Sequence, residues 1–177
     1  EDSPEAKLMS ETDVMAFRAR FGENASCLNL YNTQLPTVLG VPDSLIESGR
    51  FRFINATGDD WQRLTEAPED GRIPVIGDMN SLMYSLHKNV GDSIAVPGGD
   101  KELVVAGMLD SSIFQGVLLM SSANFDRLFP EQTGFSYFLI GASEDRVKAS
   151  GYFSAEEQQQ LARHFVSGLG EYCLLYT

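Results

Sequence analysis

Ile73-Pro74-Val75-Ile76-Gly77-Asp78, followed by Met79-Asn80-Ser81-Leu82-Met83-Tyr84-Ser85-Leu86, is the stretch from which the fold is read. Ile73, Val75 and Ile76 predict a strand, and Gly77-Asp78 ends it. Met79, Leu82, Met83 and Leu86 then recur at i, i+3, i+4 and i+7, the spacing of an amphipathic helix. Downstream, Val90-Gly91-Asp92 is a turn that needs its glycine, leading into a strand over Ser93–Val96. Pro97-Gly98-Gly99-Asp100 is a tight turn, and Glu102–Leu109 the returning strand. Ile113–Met120 predicts a further strand. Ser121–Phe129 predicts a short helix with Phe125, Leu128 and Phe129 inward, stopped by Pro130. Gly107 and Gly116, set in strand-like runs, predict bulges or a close backbone approach.

The flanks follow the same style. Residues 1–9 are polar and predicted to fray. Ser10 and Asp13 resemble a capping box, and Val14, Phe17 and Phe21 at helical spacing predict a helix closed by Gly22. Ser26–Tyr31 and Thr37–Val41 read as strands, and Pro42-Asp43-Ser44 opens a short helix closed by Gly49. Phe51 and Phe53 alternate as an extended edge, Asp59-Asp60 precedes a one- or two-turn helix through Trp61 and Leu64, and 67–71 is a loop. Tyr137–Ile140 is a strand. Ser154 with Glu157 is a capping box for a last helix with Leu161, Phe165 and Val166 on one face, ended by Gly168 and Gly170, and 171–176 closes as a strand. The sum is an α+β fold with a mixed sheet and strand–helix–strand units.

Composition bounds the function. The chain has 177 residues and is 43% hydrophobic, enough for one domain with a core. A formal charge of −12 excludes a nucleic-acid binder, whose phosphates demand clustered Lys and Arg. No apolar run approaches the ~20 residues that span a bilayer, and no signal peptide opens the chain. It begins at Glu1 without Met and ends on the apolar run Tyr172–Tyr176, as an excised piece would.

No chemistry-bearing motif is found. His87 and His164 sit on predicted helices among polar neighbours and read as exposed; there is no Gly-x-Ser-x-Gly elbow and no phosphate-binding loop. The pairs Asp59-Asp60 and Glu69-Asp70 lack the ligand spacing of a calcium loop and read as a helix cap and a solvated loop. Asn24-Ala25-Ser26 and Asn55-Ala56-Thr57 match the glycosylation pattern and are read as chance matches. Cys27 and Cys173 form either one long-range disulfide or two unpaired thiols. No catalytic, cofactor-binding or metal residue is assigned, and no cofactor is expected.

The words Ile73–Asp78, Lys88-Asn89-Val90-Gly91-Asp92-Ser93-Ile94, Val104–Leu109 and Gly116–Ser121 occur in a recognisable order. Between Ile73 and Ile140 that order resembles the extracytoplasmic domain of FtsX-like, MacB-type ABC transporter permeases. Ser26–Tyr31 and Leu39–Pro42 look like the same family, and Val105-Ala106-Gly107 departs from the commoner Val-Val-Gly by one small apolar swap. The resemblance implies a bacterial periplasmic domain, looped from an inner-membrane permease, with a porter-like lobe and a small β-rich lobe. It implies residues 1–177 as a single domain whose two lobes are 1–71 with 121–177 and 72–120. Its implied partners are an ABC ATPase subunit or domain, a second permease copy or partner permease, and a periplasmic partner protein or lipid-linked substrate. It implies no catalysis on this chain. The competing reading is a free-standing extracytoplasmic ligand-binding module.

Overall fold

The computed structural model describes residues 4–22, 35–58, 60–66, 71–97, 100–169 and 173–176. The expected strand at Ser26–Tyr31, Cys27, Asp59, the loop 67–70 with Glu69-Asp70, and Gly98-Gly99 lie outside them. The strands are β1 Thr12–Arg20, β2 Thr37–Val41, β3 Ile73–Asp78, β4 Ser93–Ala95, β5 Glu102–Leu109, β6 Val117–Ser121, β7 Tyr137–Ala142 and β8 Cys173–Tyr176. The α-helices are α1 Pro4–Ser10, α2 Asp43–Ser48, α3 Ser122–Leu128, α4 Glu144–Ser150 and α5 Ala155–Leu169. The protein is α+β with parallel and antiparallel pairings, as the sequence predicts. It divides into two compact units, 18–134 and 1–17 with 135–177. Within 18–134, β2 pairs with β6 and so packs with the elements of 73–121.

In 18–134 the strands run in the order β4-β5-β3-β6-β2, with the end of β1 beyond β2. β3 pairs parallel with β5 and antiparallel with β6, and β6 pairs parallel with β2. Every residue of β3 and β6 is buried, which is why these strands are continuous apolar runs without alternation. Pro74 is tolerated in β3 because β6 pairs only with Ile76 and Gly77, so the missing N–H takes no bond from that ladder. Val38, Val75, Leu82, Leu103, Leu118 and Phe125 belong to the core. Gly49 closes α2 in the left-handed conformation (φ 61°), the stop expected of it. The segment after β3 is helical but winds as a π-helix over Ser81–Leu86, so Leu82 is buried while Met83 turns outward. β6 starts only at Val117: Gly116, with φ 75°, belongs to the turn before it and not to a strand.

In 1–17 with 135–177, β1 pairs antiparallel with β7 from Thr12↔Ala142 to Phe17↔Tyr137, and β7 pairs parallel with β8. The helix expected over 10–22 is therefore a strand. Val14, Phe17 and Phe21 suit helical spacing, but Met15, Phe17 and Ala19 are buried alternately while Val14 is 43% exposed. Both periods fit so short a run, and the ladder offered by β7 decides between them. Ser10 ends α1, donating to the Lys7 carbonyl, and starts nothing. The Ser154–Glu157 capping box forms as expected, each partner bonding the other's backbone N–H at 3.3 and 2.8 Å. α5 passes through Gly168 to Leu169. An unforeseen helix, α4, is capped by the Ser143 hydroxyl, which accepts from the Arg146 N–H.

Candidate functional site

An open cleft of about 410 Å³ lies in 18–134 between the C-terminal end of α2 and the 3₁₀ helix Asp60–Thr65. Its aromatic wall comes from the segment between them. Arg52 O accepts from Asp110 N at 2.8 Å and Ile54 N donates to Met108 O at 2.9 Å, which lays residues 52–54 antiparallel beside the end of β5. The Phe53 ring then lies over Gly107, where a Cβ would come within 3.0 Å of it. The close approach expected at Gly107 is thus real, and β5 also bulges there, since Ala106 has no partner between Val75↔Val105 and Ile76↔Gly107. Phe53 meets Trp61 edge to face at 5.3 Å, and Phe51 meets Phe114 at 5.1 Å.

The polar groups of the cleft floor are already engaged. Asp60 is buried and accepts from Thr57 N at 2.8 Å, Thr57 Oγ1 at 3.0 Å and Gly58 N at 3.2 Å. Burial pulls its pKa up, but those hydrogen bonds and Arg63 outweigh it and hold the carboxyl below its ordinary value. Arg63 also donates to the carbonyl of the bulged Ala106 at 2.9 Å and to Thr57 Oγ1 at 2.9 Å. Trp61 Nε1 donates to Arg50 O at 2.7 Å. Asp60 is thus a structural clamp on the turn before the 3₁₀ helix, and no cap bond from its carboxylate to that helix's own N–H groups is among the bonds of the described residues. Thr57 of the glycosylation match serves the same clamp.

A second buried carboxylate, Asp78 at the end of β3, was not singled out by the sequence. It accepts from Ser112 N at 2.7 Å, Ser112 Oγ at 3.0 Å and Asn80 N at 3.0 Å. Ser112 Oγ itself accepts from Phe114 N, and Ser81 Oγ accepts from Gly116 N at 2.7 Å. These bonds tie loop 110–116 to the start of the π-helix. His87, in a left-handed conformation, caps the π-helix and is exposed, and His164 is exposed on α5. Among the described residues no group of three or more His, Cys, Asp or Glu converges as metal ligands. Among them, too, no helix is long and apolar enough to cross a membrane.

No protein-family model matches the chain. No curated protein sequence matches it either. Among solved structures it is similar to the extracellular domain of the noncanonical ABC-type transporter YknZ from Gram-positive bacteria. That similarity is at 14% identity and a TM-score of 0.38, over 87% of this chain and 73% of the other. A likeness that loose establishes neither a shared fold nor a shared function.

Proposed function

We propose that the chain is the extracytoplasmic domain of an FtsX-like, MacB-type ABC transporter permease. It would couple cytoplasmic ATP hydrolysis to export or extraction of a substrate through conformational change and protein contacts, with no catalytic site of its own. The observation that carries the reading is the order of motifs between Ile73 and Ile140, in which each motif occupies its own element: β3, the Gly91 turn into β4, β5, β6 with α3, and β7. The engagement of Asp60 and Asp78 in holding loops supports a scaffold that contacts other proteins more than one that performs chemistry. The reading entails an ATPase subunit or domain, and a second permease, joined to this chain through membrane-spanning segments.

The test is on the parent gene product. Apolar spans of about 20 residues flanking this sequence, and ATP turnover only with a co-purified nucleotide-binding protein, are expected. Hydrolysis of ATP by the isolated chain, or a parent protein without such spans, overturns the reading. The cleft favours one second reading, an extracytoplasmic ligand-binding module, because its volume falls in the range of small-molecule sites, roughly 300–1,000 Å³.

A further inference from the structure

We propose that the cleft beside the 3₁₀ helix is a docking site for an extended, basic peptide segment of a partner protein, which pairs with the backbone of Phe53. The decisive geometry is the way 52–54 lies on β5. The two hydrogen bonds to β5 are made by the neighbours of Phe53, Arg52 O and Ile54 N. In an antiparallel ladder the residue between two such bonds turns its own N–H and C=O away from that strand. Phe53 therefore presents a donor and an acceptor on the side away from β5, and among the described residues nothing bonds to either. Phe51 and Asn55, at φ 69° and 55°, bend the chain on both sides, so the open edge is one residue long. One residue of an extended peptide satisfies both groups, the strand-addition mode of recognition.

The same register sets the side chains. The peptide residue opposite Phe53 places its side chain on the face carrying the Phe53 ring, where Trp61 stands. An apolar side chain is suited there, since Asp60 and the Trp61 N–H are already bonded within the protein. The rim sets the charge. Glu47 lines the cleft, is exposed, and pairs with no cation among the described residues, whereas Arg52 on the same cleft has Asp110 at 3.7 Å. With a formal charge of −12 on the whole chain, the field favours Lys or Arg flanking the apolar residue. This inference gives the partner contact of the proposed function a place, and it stands without the transporter reading. Loss of peptide binding leaves the membrane assignment untouched, and absence of membrane spans leaves the cleft untouched.

Trp61 is the chain's single tryptophan, so its fluorescence reports on the cleft. The probe is the blocked pentapeptide acetyl-Lys-Val-Phe-Val-Lys-amide, titrated into the full 177-residue chain at low salt. A saturable change in Trp61 emission is expected. N-methylation of the central residue removes one backbone donor and should weaken binding about five- to tenfold. The exposed substitution Glu47→Lys should weaken it roughly two- to fivefold, and raised salt should erase that difference. Equal binding of the N-methylated probe overturns the proposal, because the strand pairing is then absent. So does saturation by free phenylalanine at the same concentration as the peptide, which would make the cleft a small-molecule pocket. No saturable change at millimolar peptide overturns it as well.

Discussion

Residues 18–134 and the unit of 1–17 with 135–177 are held together by different means. In the first, β3 and β6 are buried throughout, and α3 lays Phe125 against a core that runs from Leu35 to Phe129. In the second, one cluster of buried side chains is Leu8, Ala142, Phe153 and Leu161, with Met9, Val147 and Phe165 packed against it, and Met15, Phe17, Tyr137, Leu139 and Ile140 are buried as well. A polar junction adds to that apolar packing. Arg146 pairs with Glu11 and, at 2.8 Å, with Glu157, while its guanidinium stacks 4.5 Å from the Phe153 ring centre. The hydrophobic contribution scales with buried area at about 25 cal/mol per Å². The Arg146 junction is within reach of pH and salt, as the Asp60 clamp is in the larger unit, whereas the apolar clusters are not.

The sharpest way to break the comparison is to remove one ring from the larger core. Phe125→Ala should cost about 3–5 kcal/mol, read as a lower midpoint in chemical denaturation, with exchange protection lost in β2, β3 and β6. Leu161→Ala, in the smaller cluster, should cost about 2–3 kcal/mol, because fewer neighbours lose contacts. Its effect should appear as faster amide exchange in α1 and α5. Equal global costs from both substitutions would contradict the distinction.

A smaller effect comes from pH. The Ser154 backbone N–H is the main cause that holds the Glu157 carboxyl below its ordinary value, and Arg146 adds to it, against a desolvation penalty. A lowered folded pKa contributes stability that is fully present above the ordinary glutamate range and is lost as pH falls through the lowered value. Acid should therefore speed exchange around the start of α5, and Glu157→Gln should flatten that dependence. Asp60 has a shift of the same sign, so acid should also loosen 57–65 while the amides of β3 and β6 stay protected. Least of all, Val14→Thr should change stability by less than about 0.5 kcal/mol. The side chain at that position faces outward from β1. A large loss would restore the helical register.

Much of the architecture was legible because its signals are local. The Ser154–Glu157 box, the Gly49 stop of α2 and the Ser121 start of α3 each fix the backbone within a few residues, and the structure keeps all three. The alternative periods over 12–20 were not resolvable in the same way, since Val14, Phe17 and Phe21 suit a helix while Met15, Phe17 and Ala19 suit a strand. The cleft was less legible still. Phe51, Phe53 and Trp61 were noticed as a strand edge and a short helix. That they line one cavity depends on residues 108–110, more than fifty positions away, which pair with 52–54. Asp78 gave no signal, because a carboxylate at a strand end looks like a turn residue until Ser112 closes on it.

The sequence by itself determined the class, the caps at Ser121 and Ser154 and the Gly49 stop, and it assigned no motif for catalysis, nucleotide or metal. These are set by short-range chemistry: φ at a glycine, a hydroxyl three residues from an amide, the spacing of apolar side chains. Only the tertiary structure decided that 12–20 is a strand, that β2 and β6 lie parallel, and that the Phe53 backbone, beside a cleft, bonds to nothing among the described residues. Each of these is a choice of partner across a long stretch of chain, and a backbone hydrogen bond carries no mark of its partner in the residues that make it.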